Sequence, residues 1–195
     1  MGNIFVVMGK SATGKDTIYK HLLLDSELDL KTVVTYTTRP IRSSEQNGVE
    51  YFFVTNEKWQ LLFEEGKIIE SRTYHTMLGD WHYFTVQDSQ IDLSVANYVL
   101  ISTLEGYEQI RKYYGETVVI PIYVEVEDGI RLQRAITREQ KQKTPRYDEV
   151  CRRFLADQKD FSEENIECLG IIKRYQNVVL EDCLTEIVED IKKLL

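Results

Sequence analysis

The chain opens on five apolar residues in a row, Ile4-Phe5-Val6-Val7-Met8. A short unbroken run of this kind predicts a strand buried on both faces, as in parallel sheets. Residues 17–24 carry helical spacing, and residues 31–36 are β-branched and short, which predicts a helix and then a second strand. Residues 37–54 begin polar and end as a strand, with a turn at Asn47-Gly48. Residues 56–65 predict an amphipathic helix with Trp59, Leu62 and Phe63 on one side, stopped by Gly66. Residues 67–74 alternate and predict a strand carrying Glu70, followed by a loop over 75–82 and a strand over 83–86. Buried strands are expected at 98–102 and 117–124 around a helix at 105–114. A helix over 128–140, a polar hinge at 139–147 broken by Pro145, and a helix from Asp148 come next. A last strand at 177–180 and an amphipathic helix at 184–195 complete the pattern. Strands and helices alternate, so the expected fold is α/β, a parallel sheet covered by helices, with residues 36–86 as a small antiparallel insert.

Between the first strand and the first helix lies Gly9-Lys10-Ser11-Ala12-Thr13-Gly14-Lys15-Asp16-Thr17. Strand, glycine loop and helix in this order are the context of a phosphate-binding loop. The two glycines let the backbone turn its N–H groups toward an anion, and the helix N-terminus adds its positive dipole end. Lys15 then reaches the β and γ phosphates of a nucleotide. Asp16 stands where the pattern usually has a hydroxyl residue for magnesium, and a carboxylate serves that ion as well.

Charge narrows the partners. The 195 residues carry a net charge of −8, with no basic run suited to nucleic acid. An acidic protein that binds polyanionic nucleotides must concentrate its arginines locally. Arg39 and Arg42 sit just after a strand end, where open α/β sheets bind ligands. Arg131, Arg134, Arg138, Arg152 and Arg153 flank the polar hinge, as in a lid that closes. No apolar stretch approaches a membrane span and no secretory signal is visible, so the expected location is cytoplasmic. Cys151, Cys168 and Cys183 read as structural thiols, and His75 and His82 share a loop without metal-ligand spacing.

After the second strand, Thr37, Thr38, Arg39, Arg42, Glu45, Gly48, Tyr51 and Phe53 fill the pattern Thr-(Ser/Thr)-Arg-x-x-(Lys/Arg)-x-x-(Asp/Glu)-x-x-Gly-x-x-Tyr-x-Phe. On these positions, together with the phosphate loop, the chain resembles guanylate kinases over essentially its whole length. The resemblance implies a P-loop nucleoside-monophosphate-kinase fold in one domain: a core of 1–35, 87–137 and 149–195, a GMP-binding insert at 36–86, and a helical lid at about 138–148. It implies transfer of phosphate from MgATP to GMP. Thr35, Arg39, Arg42 and Tyr51 would hold the acceptor nucleotide, with Arg39, Arg42, Tyr51 and Tyr83 on its phosphate and Glu70 and Thr85 on the guanine. The ATP side would comprise residues 9–17 (Gly9, Lys10, Ser11, Ala12, Thr13, Gly14, Lys15, Asp16, Thr17) and Arg134, with Asp16 on Mg²⁺. Lys15, Arg138, Arg152 and Arg153 would act in catalysis.

The chain departs from the family at Ala12 and Asp16. It departs again at Ile101 and Thr103, where an Asp-x-Asp is usual, at Phe84 in place of glycine, and at Glu181 in place of asparagine. Asp16 is expected to offset the acids absent from 101 and 103. Two alternatives stand beside this reading: a kinase for another small phosphate, such as ribose bisphosphate or another nucleoside monophosphate, and a non-catalytic guanylate-kinase-like binding module. Monomer and homodimer stay open alike.

Overall fold

The computed structural model describes residues 1–42, 45–76 and 79–195. Ser43 and Ser44 of the signature stretch and Met77 and Leu78 of the expected 75–82 loop lie outside the described residues. Strand β1 (Ile4–Met8) is buried along its whole length and forms the centre of a five-stranded parallel sheet. Its neighbours are β7 (Asn97–Ile101) and β8 (Val119–Glu125), with β2 (Leu30–Thr32) and β9 (Arg174–Gln176) at the edges, in the order β2-β7-β1-β8-β9.

The alternation of side chains along β1 divides the core in two. Ile4, Val6 and Met8 face one layer, where α3 (Leu104–Tyr114) and α6 (Glu163–Cys168) contribute Tyr107, Ile110 and Ile166. Phe5 and Val7 face the other, where α1 (Lys15–Leu24) and α7 (Leu180–Lys192) contribute Ile18, Leu22, Cys183, Ile187 and Ile191. Each such side chain removed from water is worth about 1.5–3 kcal/mol, so the central strand is held by its two helical layers.

A second sheet has its own small core and joins the first through Ile69, which packs in the first sheet's cluster. Its order is β4-β3-β6-β5, built from β3 (Tyr36–Thr37), β4 (Phe52–Phe53), β5 (Ile68–Thr76) and β6 (Gly79–Val86). It is antiparallel along β3–β6 and β5–β6, and its short β3–β4 edge is parallel. The helix α2 (Asn56–Glu64) covers it, capped by Thr55, whose hydroxyl accepts from the Lys58 N–H. Leu62, Phe84 and Val86 form the buried cluster here, with Tyr36 stacked on Phe84. Phe84 in place of glycine is thus a core residue of this sheet.

Three local expectations are corrected. The stretch 75–82 is mostly strand: Tyr74 pairs with Trp81, His75 with Asp80 and Thr76 with Gly79. Aromatic and β-branched residues favour the extended ladder, and the extra length becomes a longer hairpin. His82 lies flat on Trp59, with ring centroids 3.8 Å apart. The last strand is β9, at 174–176 and not 177–180. Val178 and Val179 are exposed in the turn, and α7 begins at Leu180 so that Cys183, Ile187 and Ile191 all face the core. Helix α6, which hydrophobic periodicity alone did not suggest, starts with Ser162 as its cap, its hydroxyl accepting from the Asn165 N–H.

Candidate active site

The loop between β1 and α1 is held in shape from both sides. Gly14 has φ of +87°, a left-handed value, and a Cβ there would meet Asn177 Nδ2 at 2.4 Å. That amide donates to the Thr13 carbonyl at 2.7 Å, so the end of β9 pins the loop. The buried Thr13 hydroxyl donates to the Lys10 carbonyl at 2.9 Å. Ala12 takes φ of +64°. An L-residue there costs about 1–2 kcal/mol, which accounts physically for the glycine expected at this position. Helix α1 starts at Lys15, so its free first-turn N–H groups and its dipole face the loop. Lys15 Nζ lies 3.9 Å from Asp16 Oδ2, and the Asp16 side chain is 72% exposed. Gly9 follows β1 directly, and the Thr17 N–H bonds to the Gly14 carbonyl within the first turn.

A cluster not singled out from the sequence ties this loop to α4 (Asp128–Gln140) and α5 (Tyr147–Asp160). Arg131 is fully buried. Its Nη1 donates to the Ser11 carbonyl at 2.9 Å and to Asp157 Oδ2 at 3.3 Å, and its Nη2 donates to Asp128 Oδ1 at 2.7 Å. Asp157 Oδ2 also accepts from the Ser11 N–H at 2.7 Å. Lys10 Nζ donates to Gln158 Oε1 and lies 3.8 Å from Asp128 Oδ1. Lys10 and Ser11 therefore engage the helices. The helical spacing of Asp128 and Arg131, three apart, was the readable signal for this pair.

Arg134 and Arg138 lie on another face of α4, beside a cavity of about 390 Å³. Arg134 Nη2 donates to the Asn177 carbonyl at 3.1 Å. Arg152 and Arg153 both donate to Glu149, whose carboxyl these hydrogen bonds hold down at about 2. Among the described residues, no hydrogen bond or ion pair joins Arg138, Arg152 or Arg153 to the phosphate loop.

The second sheet gathers the remaining candidates. Arg39 is buried and forks onto Glu45, with Nη1 to Oε2 at 2.8 Å and Nη2 to Oε1 at 2.6 Å. This hydrogen bonding holds the Glu45 carboxyl at about 2, so the pair stays ionised through the neutral range. Arg39 lies over the ring of Tyr51, 5.1 Å from its centroid, and Tyr51 meets Tyr83 edge-on at 5.6 Å. Arg42 is exposed, and its N–H donates to Glu45 Oε2. The Thr35 carbonyl accepts from the Phe52 N–H, at the base of this group.

Glu70 on β5 pairs in register with Thr85 on β6, and Arg72 with Tyr83, so all four share one face of the sheet. Glu70 and Thr85 are both buried, and the Thr85 hydroxyl donates to Glu70 Oε1 at 2.9 Å. Arg72 Nε donates to Glu70 Oε2 at 3.1 Å.

The end of β7 supplies no acid. Ile101 packs against the core, and the Thr103 hydroxyl caps α3 by accepting from the Gly106 N–H. Among the described residues, no three His, Cys, Asp or Glu side chains group into a metal site.

A family model described as guanylate kinase matches residues 1–195. A guanylate kinase of Porphyromonas gingivalis is 28% identical over 184 residues, covering 89% of this chain and 96% of that protein. One from Caldanaerobacter subterraneus is 29% identical over 195 residues, covering 100% and 86%. Among solved structures, a guanylate kinase from Anaplasma phagocytophilum superposes with a TM-score of 0.63 at 19% identity, covering 98% of this chain and 85% of that one.

Proposed function

The chain belongs to the guanylate kinase family and phosphorylates GMP to GDP with ATP, and we propose that it does so between the phosphate loop of the first sheet and the polar face of the second. The bond from the γ-phosphorus of ATP to its bridging oxygen breaks, a GMP phosphate oxygen takes the γ-phosphorus, and ADP leaves. The acceptor is already an oxyanion, so positioning and charge neutralisation carry the reaction and no strong base is needed.

Lys15 and the amides around Gly14 take the donor phosphates. Arg39, Arg42, Tyr51 and Tyr83, with Thr35 at their base, take the acceptor phosphate, for which the guanidinium fork is suited. Glu70 accepts from guanine N1–H and N2–H₂, and Thr85 faces the guanine oxygen. Arg134, Arg138, Arg152 and Arg153, at either side of residues 141–146, close over ATP as a lid. The single observation that supports this reading best is the buried Glu70–Thr85 pair, a carboxylate and a hydroxyl set across one sheet face that also carries Tyr83, whose ring meets Tyr51.

Magnesium is handled by one carboxylate plus substrate phosphates in sites of this kind, and the exposed Asp16 carboxylate beside Lys15 fits that donor set. When bound, the ion neutralises charge on the transferring phosphates. With no acid at 101 or 103, Asp16 would hold the ion from the loop itself. Asp16→Ala, which leaves no oxygen ligand at this position, is expected to raise the magnesium concentration needed for half-maximal rate without changing KM for GMP. An unchanged magnesium dependence and rate would exclude that role.

The acceptor is tested by ADP release from MgATP with GMP, dGMP, AMP, CMP, UMP and ribose bisphosphate offered singly. Turnover confined to GMP and dGMP is the expected result. Turnover with ribose bisphosphate, or none with GMP, would overturn the assignment of Glu70 and Thr85.

A further inference from the structure

Both oxygens of the Glu70 carboxylate already have hydrogen-bond donors before any base arrives. Thr85 Oγ1 donates to Oε1 at 2.9 Å, Arg72 Nε to Oε2 at 3.1 Å and Arg72 Nη2 to Oε1 at 3.4 Å. The Glu70 side chain has no exposed surface, so nothing reaches it while Arg72 stays in place. The chemistry of that occupant is specific. A guanidinium offers two roughly parallel N–H donors to a carboxylate. Guanine offers the same pattern through N1–H and N2–H₂, since those atoms form a guanidine fragment of the base. Adenine carries an acceptor at N1 and no 2-amino group.

Two further observations mark this junction. A methyl group built on Gly106 at the start of α3 would lie 2.2 Å from Ser102 Oγ, 3.3 Å from Glu70 Oε2 and 3.5 Å from Arg72 Nε. Core sheet, α3 and second sheet therefore converge on the ion pair with no room to spare. Ser102 Oγ is buried there without a hydrogen-bond partner, a costly state for a polar atom. Next to the pair opens a cavity of about 410 Å³ lined by Arg72 together with Glu105, Glu108 and Asp160. Among the described residues, Arg72 is the only basic side chain on its wall.

We propose that Arg72 is a specificity gate of the acceptor site: it occupies the Glu70 carboxylate as an internal mimic of the guanine edge, and is displaced by guanine into the acidic cavity beside it. The proposal rests on the reading of Glu70 as the guanine acceptor. A base that presents the paired donors replaces what Arg72 gives up. A base without them leaves the gate shut, because it would have to break the ion pair and return nothing to the carboxylate. Glu105, Glu108 and Asp160 supply the displaced guanidinium with compensating charge, so the exchange need not strand it.

The test is steady-state kinetics and GMP binding on Arg72→Ala and Arg72→Met, the second keeping the apolar stem of the side chain. Both are expected to lower KM for GMP roughly tenfold, with kcat not reduced and KM for ATP unchanged. The double variant Glu105→Gln/Asp160→Asn is expected to move KM for GMP the other way, upward, because the displaced charge loses its receiver. Arg72→Lys, a point charge without the fork, falls between parent and Arg72→Met. If Arg72 only braces Glu70, both Arg72 variants raise KM for GMP, and that result overturns the gate. An unchanged KM overturns it equally. Failure of the underlying reading shows separately, as an unaltered GMP-over-AMP preference in Glu70→Gln. Melting temperatures of all variants separate loss of the fold from loss of the gate.

Discussion

Lys15→Ala lowers kcat by about 10²–10³-fold while GMP binding holds near the parental value. The expectation follows from where the charge sits. Lys15 is the first residue of α1, behind a loop fixed by Asn177, Thr13 and the Arg131–Asp157 pair. Its ammonium adds to the dipole of the helix on the donor side. Charge spreads over the transferred phosphoryl group only during reaction, so the loss falls on the transition state more than on either ground state. In the proposed site GMP lies on the other sheet, and among the described residues no hydrogen bond or ion pair joins its Arg39, Tyr51 or Tyr83 to Lys15. Steady-state kinetics with GMP titrated calorimetrically in the absence of ATP reads the two quantities apart. A raised KM for GMP with kcat preserved would place Lys15 on the acceptor and remove it from the donor site.

The residues that were legible in the sequence are those whose pattern is short-range. Ile4 to Met8 form an unbroken apolar run too short for a helix of ordinary length, and a strand with two buried faces places all five inside. The Gly9-to-Thr17 loop joins β1 directly to α1, and the Arg39-to-Tyr51 signature is read from the spacing of residue types within one short stretch. What escaped is long-range. Arg131 and Asp157 are 26 positions apart and join only because α4 and α5 fold back on each other. The Asn177 amide crosses from the last strand to the phosphate loop, 164 positions away. Arg72 was not singled out on the alternating strand expected at 67–74. Its importance comes from facing inward beside Glu70 with α3 closing over it, which no spacing along the chain reveals. Only the stretch 75–82, between the strands expected at 67–74 and 83–86, was misread as a loop, for a related reason: its histidines and aspartate look solvated in sequence, but cross-strand partners hold His75, Asp80 and His82 extended.

Glu70→Gln is expected to lower kcat/KM for GMP by on the order of 10²–10³-fold, the cost of truncating one partner of a buried, hydrogen-bonded charge pair. The amide keeps the volume and one acceptor oxygen, but replaces the other acceptor with a donor. Guanine N1–H and N2–H₂ then meet one acceptor and one opposing N–H. Adenine gains what guanine loses, since a glutamine N–H can donate to its N1. The ratio of kcat/KM for GMP over AMP therefore narrows from both sides, and that ratio is the discriminating measurement. IMP, which has N1–H but no 2-amino group, should suffer less than GMP. The substitution also leaves the Arg72 guanidinium buried without its carboxylate, so a drop in melting temperature accompanies the kinetic change. The stability loss alone would lower all acceptors equally. Only a loss of base reading narrows GMP against AMP, and an unchanged ratio would move guanine recognition away from Glu70 altogether.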